Sequence, residues 1–174
     1  YLSDICGLFL KGKNKVARDT GKNPGLTPQI FREATWLMDF SEMDLEQYWA
    51  TLKAQYSHKQ LDKEMLRKIY TIKPITTNFC PMNCSFCDVT SKQRRDIGSS
   101  LHVTGLRGQD LEDYVTMLLE KHPEVQQVLF KDDLWFLRGK GAIRGTKSSP
   151  LLYDDLAALK RVKQRFVDRN ITFS

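Results

Sequence analysis

Hydrophobic positions divide the chain into stretches of different period. Residues 5–19, ICGLFLKGKNKVARD, set apolar runs on either side of a Gly-Lys-Asn turn and predict two short strands. Residues 20–28, TGKNPGLTP, break regular structure with Gly21, Pro24, Gly25 and Pro28, and read as a linker. Leu45, Tyr48, Trp49, Leu52 and Tyr56 then recur at helical intervals. Ser41 and Asp44 have capping-box spacing, which predicts a helix start near Ser41. Leu61, Met65 and Ile69 form a second amphipathic piece. After Tyr70 the period changes. TIKPITT, residues 71–77, is short and β-branched and predicts a strand. A polar stretch runs from Val89 to Gly108, and Leu111, Tyr114, Val115 and Leu118 mark a helix. VQQVLF, residues 125–130, predicts a strand. The glycine-rich RGKGAIRG follows, and Ser149 and Pro150 suit an N-cap and first helical turn. Leu152, Leu156, Leu159 and Phe166 mark the next helix, and ITFS closes the chain as a short strand.

Residues 71–174 therefore read strand, loop, helix, strand, loop, helix, strand. That alternation implies an α/β fold of parallel strands with crossover helices, with the last strand at a sheet edge. The 174 residues suffice for one ordinary core. With 41% hydrophobic and 28% charged residues the chain has globular composition. No run approaches the roughly 18 apolar residues of a membrane helix. The chain opens on Tyr1 with nothing resembling a signal peptide, so the expectation is a piece of a longer protein. The net charge of +6 draws on basic crowding from Arg138 to Lys147 and from Lys160 to Arg169. These read as a solvated loop and a solvated helix face. Without aromatic interleaving or a nucleic-acid motif, they do not read as a nucleic-acid surface.

The cysteines change the picture. Of four, Cys80, Cys84 and Cys87 fall together in TTNFCPMNCSFCD, residues 76–88. Such clustering does not look like a disulfide framework and points to a reduced, cytoplasmic metal site. Cys6 stands far off and reads as a small apolar residue. A Cys-x-x-x-Cys-x-x-Cys loop can curl three thiolates around one metal centre, and soft sulfur suits iron–sulfur clusters or zinc. Structural zinc wants four protein ligands, and His102, His58 and His122 are all remote in sequence. Three cysteines on a four-iron cluster leave one iron open to a small molecule, whereas electron-transfer clusters usually have four. Two other readings stand beside this one. A zinc-stabilised interaction module would recruit Cys6 or His102, and an electron-transfer iron–sulfur protein would recruit Cys6.

CPMNCSFC resembles the cluster motif of the radical S-adenosylmethionine superfamily, with Phe86 as the aromatic residue before the last cysteine. The resemblance implies that Cys80, Cys84 and Cys87 hold a 4Fe-4S cluster. It implies that the open iron takes the amino and carboxylate groups of S-adenosylmethionine, and that one electron then releases a 5′-deoxyadenosyl radical to abstract hydrogen from a substrate. Where many members carry Gly-Gly-Glu after the second strand, this chain has VLFKDDLWF. Its Phe-x-Asp-Asp-x-x-Phe pattern is similar to the branch with an N-terminal cobalamin-binding domain. ICGLFLKGKNKVARDTG looks like the closing strand pair of that domain, a weaker match than the two motifs of residues 71–136.

The resemblance implies three parts: the end of a cobalamin-binding domain over 1–25, a linker with helices over 26–70, and the first part of a (β/α) barrel over 71–174. It implies an enzyme acting on an unactivated carbon with an external one-electron reductant. Methyl transfer with cobalamin is the reaction of that branch to expect, with rearrangement or oxidative cyclisation beside it, on a small-molecule or peptide substrate. Phe86 is then an adenine contact through its backbone, and also reads as an apolar plug beside the cluster. Asp132 and Asp133 are then binders of the methionyl ammonium, and also read as turn or helix caps. Met82 and Asn83 read as packing and turn residues. Arg138, Lys140 and Arg144 lie where strands end and helices begin, the active-site side of a β/α barrel. They are placed to meet a carboxylate or phosphate, or to form plain surface. The glycines there match no phosphate-cradling motif. Arg94, Arg95 and His102 are undecided by the sequence.

Overall fold

The computed structural model describes residues 28–77, 105–131 and 150–174, together with the backbone of two short strands at 9–11 and 17–19. The strands, β1 (Phe9–Lys11) and β2 (Ala17–Asp19), pair antiparallel with Leu10 opposite Arg18, as the apolar runs around the Gly-Lys-Asn turn predict.

Three helices follow. The first, α1 (Pro28–Leu37), begins at the last residue of the linker stretch and covers residues for which no individual helix is predicted. Proline breaks a helix interior but suits its first position, and the stripe beyond Pro28 is short. Phe31 and Thr35, one turn apart, are its buried positions, and Thr35 returns its hydroxyl to the Phe31 carbonyl at 2.8 Å. The second, α2 (Leu45–Gln55), starts four residues later than the Ser41 expectation. Asp44 is the cap itself: its carboxylate accepts the Gln47 amide at 2.9 Å. Ser41 instead donates both its amide and its hydroxyl to Asp39. Asp62 caps α3 (Lys63–Ile69) in the same way, through the Met65 amide at 2.8 Å.

The remainder is the alternation expected of residues 71–174. In chain order it comprises β3 (Thr71–Ile72), α4 (Gly108–Lys121), β4 (Gln127–Val128), α5 (Pro150–Arg165), a 3-10 turn at Val167–Arg169 and β5 (Thr172–Phe173). The sheet is parallel in the order β3-β4-β5, with Ile72, Val128 and Phe173 in one row. Pairing outlasts the short strands. The Leu129 amide donates to Ile72, and the Lys131 amide to Pro74, each at 2.9 Å. Pro74 has no N–H and takes part only as an acceptor.

Helix α4 buries Leu111, Tyr114, Val115, Leu118 and Leu119, the i, i+3, i+4, i+7, i+8 stripe of a core-facing helix. It packs against α5. The α5 stripe differs from the expected leucine series. Leu156 is 47% exposed, Leu152 lies outside the described side chains, and the buried positions among those described are Asp155, Ala158, Leu159 and Val162. A search for apolar period skips a buried aspartate, and so rotates the inferred face. The core joins these helix faces to Ile69, Ile72, Leu106, Val125, Val128 and Ile171, with Leu45 and Trp49 from α2. Among the described residues no helix is long and apolar enough to cross a membrane.

Candidate functional site

Cys80, Cys84, Cys87, Phe86, Asp132 and Asp133 lie outside the described residues. So do Met82, Asn83, Arg94, Arg95, His102 and the basic run Arg138–Lys147. The structure describes the frame that these segments join, and that frame is specific.

Segment 78–104 leaves the chain after Thr77 and returns at Gly105, and these two residues form an antiparallel bridge. The Leu106 amide donates to the Thr76 carbonyl at 3.0 Å. This close approach needs a glycine: a Cβ on Gly105 would sit 2.6 Å from the Thr76 carbonyl oxygen and 2.9 Å from the Thr77 methyl. The two ends of the cysteine-bearing segment are thus held in a neck, with Thr76, Thr77 and Leu106 buried.

Directly beyond the neck, Gly108 opens α4 at φ +45°, in the left-handed region that favours glycine. Its amide donates to Asp155 Oδ1 at 2.8 Å, and Arg107 donates to Asp155 Oδ2 at 3.0 Å. Asp155 is fully buried and belongs to α5, the element that follows segment 132–149. A carboxylate at a helix N-terminus meets unpaired amides and the positive end of the helix dipole. Arg107 offsets its charge, which burial alone would make costly.

The second segment leaves on the same side. Asp132 follows Lys131, whose amide is bonded to Pro74 of the β3 continuation. In a parallel sheet with crossover helices, both segments leave from the carboxyl ends of adjacent strands. That is the side on which open α/β sheets and β/α barrels gather their reactive groups. A surface concavity of about 960 Å³ borders the neck, with Arg32, Trp36 and Leu37 of α1 facing Gly105, Leu106 and Asp110. Arg32 and Asp110 form an ion pair across it at 3.0 Å. Among the described residues no three His, Cys, Asp or Glu side chains come together as a metal site.

Basic and aromatic groups tie α4 to its neighbours along its length and at its far end. Arg169 donates to the carbonyls of Leu119, His122 and Val125, at 2.6, 3.0 and 3.1 Å. Arg161 and Arg165 pair with Glu112 and Glu120 of α4, at 2.6 and 2.7 Å. Three arginines of the run Lys160–Arg169 are therefore engaged on the neighbouring helix. The Tyr114 hydroxyl donates to the Met38 carbonyl at 2.7 Å, Lys121 pairs with Asp39, and His122 Nε2 lies 2.7 Å from the Asp39 carbonyl. Hydrogen bonds from Lys121 and Ser41 hold the Asp39 carboxyl well below its usual range. Burial, then the charge of Asp39, pushes the Tyr114 phenol up.

Sequence reasoning missed Gly105, Arg107 and Asp155. The available signal was Asp155 itself, an acidic residue one turn before Leu159 on the stripe that continues to Val162 and Phe166. Compared with protein-family models, curated proteins and solved structures, the chain matches none.

Proposed function

We propose that the chain is part of a radical S-adenosylmethionine enzyme whose three cysteines hold a 4Fe-4S cluster at the carboxyl edge of the β3-β4-β5 sheet. The observation that carries this reading is the shared exit side. Strands β3 and β4 are adjacent and parallel, and the described chain stops at the carboxyl end of each, at Thr77 before the cysteine segment and at Lys131, bonded to Pro74, before the Asp-Asp pair. Adjacent parallel strands are where one site draws on two successive segments.

The donor set fits the group. Three thiolates satisfy three irons and leave the fourth for a chelating small molecule. When bound, the cluster supplies the electron that breaks the sulfonium bond of S-adenosylmethionine. The chain's own residues do the rest. Cys80, Cys84 and Cys87 ligate. Asp132 and Asp133 offer carboxylates for the methionyl ammonium, and Phe86 provides a backbone contact for the adenine. The α/β frame is read as the opening of a (β/α) barrel. The β1-β2 pair is read as the end of a cobalamin-binding domain, with methyl transfer to an unactivated carbon as the reaction of the whole protein.

The test is anaerobic reconstitution with iron and sulfide, followed by EPR of the reduced protein with and without S-adenosylmethionine. A four-iron signal that changes on adding the cofactor is expected. A cluster indifferent to the cofactor would point to electron transfer, and tight zinc binding without a cluster would point to an interaction module.

A further inference from the structure

We infer that the concavity between α3 and the strands β4 and β5 is a binding site for a phosphoryl group, with Lys63 and Arg67 as its cationic ligands and the Ser174 hydroxyl as a further donor. The site does not rest on the metal-centre reading. It opens on Gln127 and Thr172, the first residues of their strands, whereas segments 78–104 and 132–149 attach at carboxyl ends. Its volume of about 580 Å³ is in the usual range for small-molecule sites. Lys63 and Arg67 stand one turn apart on α3 and both line it. Like charges at that spacing repel, and neither has an ion-pair partner among the described residues.

Arg67 is the exception among the described arginine side chains. Arg32, Arg107, Arg161 and Arg165 pair with carboxylates, and Arg169 is bonded to three carbonyls. Arg67 is half-buried, and its guanidinium has no such partner among the described residues. A partly desolvated charge costs free energy unless something answers it, and a guanidinium fork matches phosphate oxygens two at a time. The carboxylate side chains nearest in sequence are already engaged, Glu64 with Lys68 at 2.7 Å and Asp62 with the Met65 amide at 2.8 Å. The opposite wall is held in place. The Thr71 hydroxyl, which donates to the Arg67 carbonyl at 2.8 Å, lies 3.1 Å from Gln127 Oε1, and Gln127 Nε2 donates to Ser174 Oγ at 2.7 Å. Ser174 Oγ thus accepts from Gln127 and keeps its own proton to donate. Two cations and a hydroxyl suit a phosphate monoester, which carries a charge of about −1.5 to −2 near neutral pH.

The experiment titrates the full chain at low ionic strength with inorganic phosphate and, separately, with glycerol 3-phosphate, followed by isothermal titration calorimetry. Arg67→Gln, Lys63→Gln and Ser174→Ala are compared with Lys160→Gln, which removes the same charge from an exposed position of α5. Circular dichroism establishes that each is folded. Saturable binding is expected, weakened about tenfold or more in Arg67→Gln and Lys63→Gln and about threefold in Ser174→Ala. Lys160→Gln should change it by less than about twofold, as remote surface charges do. Tighter binding of glycerol 3-phosphate supports an ester as the ligand and equal binding supports free phosphate; either upholds the site. If Arg67→Gln does not fold, Lys63→Gln, exposed on its helix, carries the same comparison. Absence of saturable binding up to about 10 mM of either probe, weaker than any ordinary specific site, overturns the inference. Unchanged binding in the folded α3 variants overturns it by placing the phosphate elsewhere. An equal loss in Lys160→Gln also overturns it, because the attraction is then to the net charge of +6 and to no particular site.

Discussion

At Gly105 a single hydrogen atom decides whether the neck closes. A methyl group in its place meets the backbone oxygen of Thr76 at 2.6 Å, and a carbonyl in a paired segment has little room to retreat. Gly105→Ala is expected to cost about 1–3 kcal/mol, as overpacking of a well-filled site does. Urea unfolding checks this, and a midpoint equal to that of the unmutated chain would mean the neck is looser than described. Tyr114 offers a second residue-scale test. Losing its bond to the Met38 carbonyl should cost about 1 kcal/mol in Tyr114→Phe. The pH dependence has a definite sign. The phenol is raised in the folded state above its ordinary value of 10.0, so its contribution is complete below pH 10 and is lost as pH climbs beyond it. Thermal midpoints measured from pH 8 to 11 should fall less steeply in Tyr114→Phe than in the unmutated chain.

At the scale of elements, α4 is the organiser, and its two ends are held by different chemistry. Its first turn is held by the carboxylate of Asp155, and its last by the guanidinium of Arg169, each matched to the pole of the helix dipole it meets. Arg169→Ala withdraws the donor from three carbonyls at once and should destabilise by about 2–3 kcal/mol, given the usual strength of bonds to charged groups. Differential scanning calorimetry would register this, and a shift under one degree would contradict it. The Asp39 carboxyl ties the turn after α1 to Lys121 at that same end. Its folded pKa lies below the ordinary 3.8, so its contribution is present above that pH and disappears on acidification through and below it. Asp39→Asn should therefore lower stability near neutrality and flatten the profile between pH 5 and pH 2, where the unmutated chain loses the same contribution.

For the molecule as a whole, the parallel β/α alternation is legible in the sequence because Leu111, Tyr114, Val115 and Leu118 keep strict helical period between two β-branched runs. Two features escape for physical reasons. Helix α1 begins at Pro28 and buries little beyond Phe31 and Thr35, so its apolar signal is short and its proline reads as punctuation. The frame of the site escapes because it is built from Gly105, Gly108 and Asp155. The two glycines are valued for what they lack, and the aspartate for bonds across more than forty residues of chain. The cysteine motif is of another kind, since the spacing on which the proposed ligand set rests is local in the sequence. Cys84→Ala is expected to abolish cluster binding in the whole chain. Iron and sulfide analysis checks it, and full occupancy in the variant would end the three-cysteine assignment.

The neck has a consequence for how such a chain can change over time. Because Thr77 and Gly105 are already brought together by the scaffold, the entropic cost of closing whatever lies between them grows only logarithmically with its length. Doubling that stretch adds only about 0.6 kcal/mol. A change in length between residues 78 and 104 therefore carries little closure cost of its own, while one methyl group at Gly105 meets the Thr76 carbonyl directly. The clasp tolerates a longer or shorter chain between its ends far better than a larger residue within it.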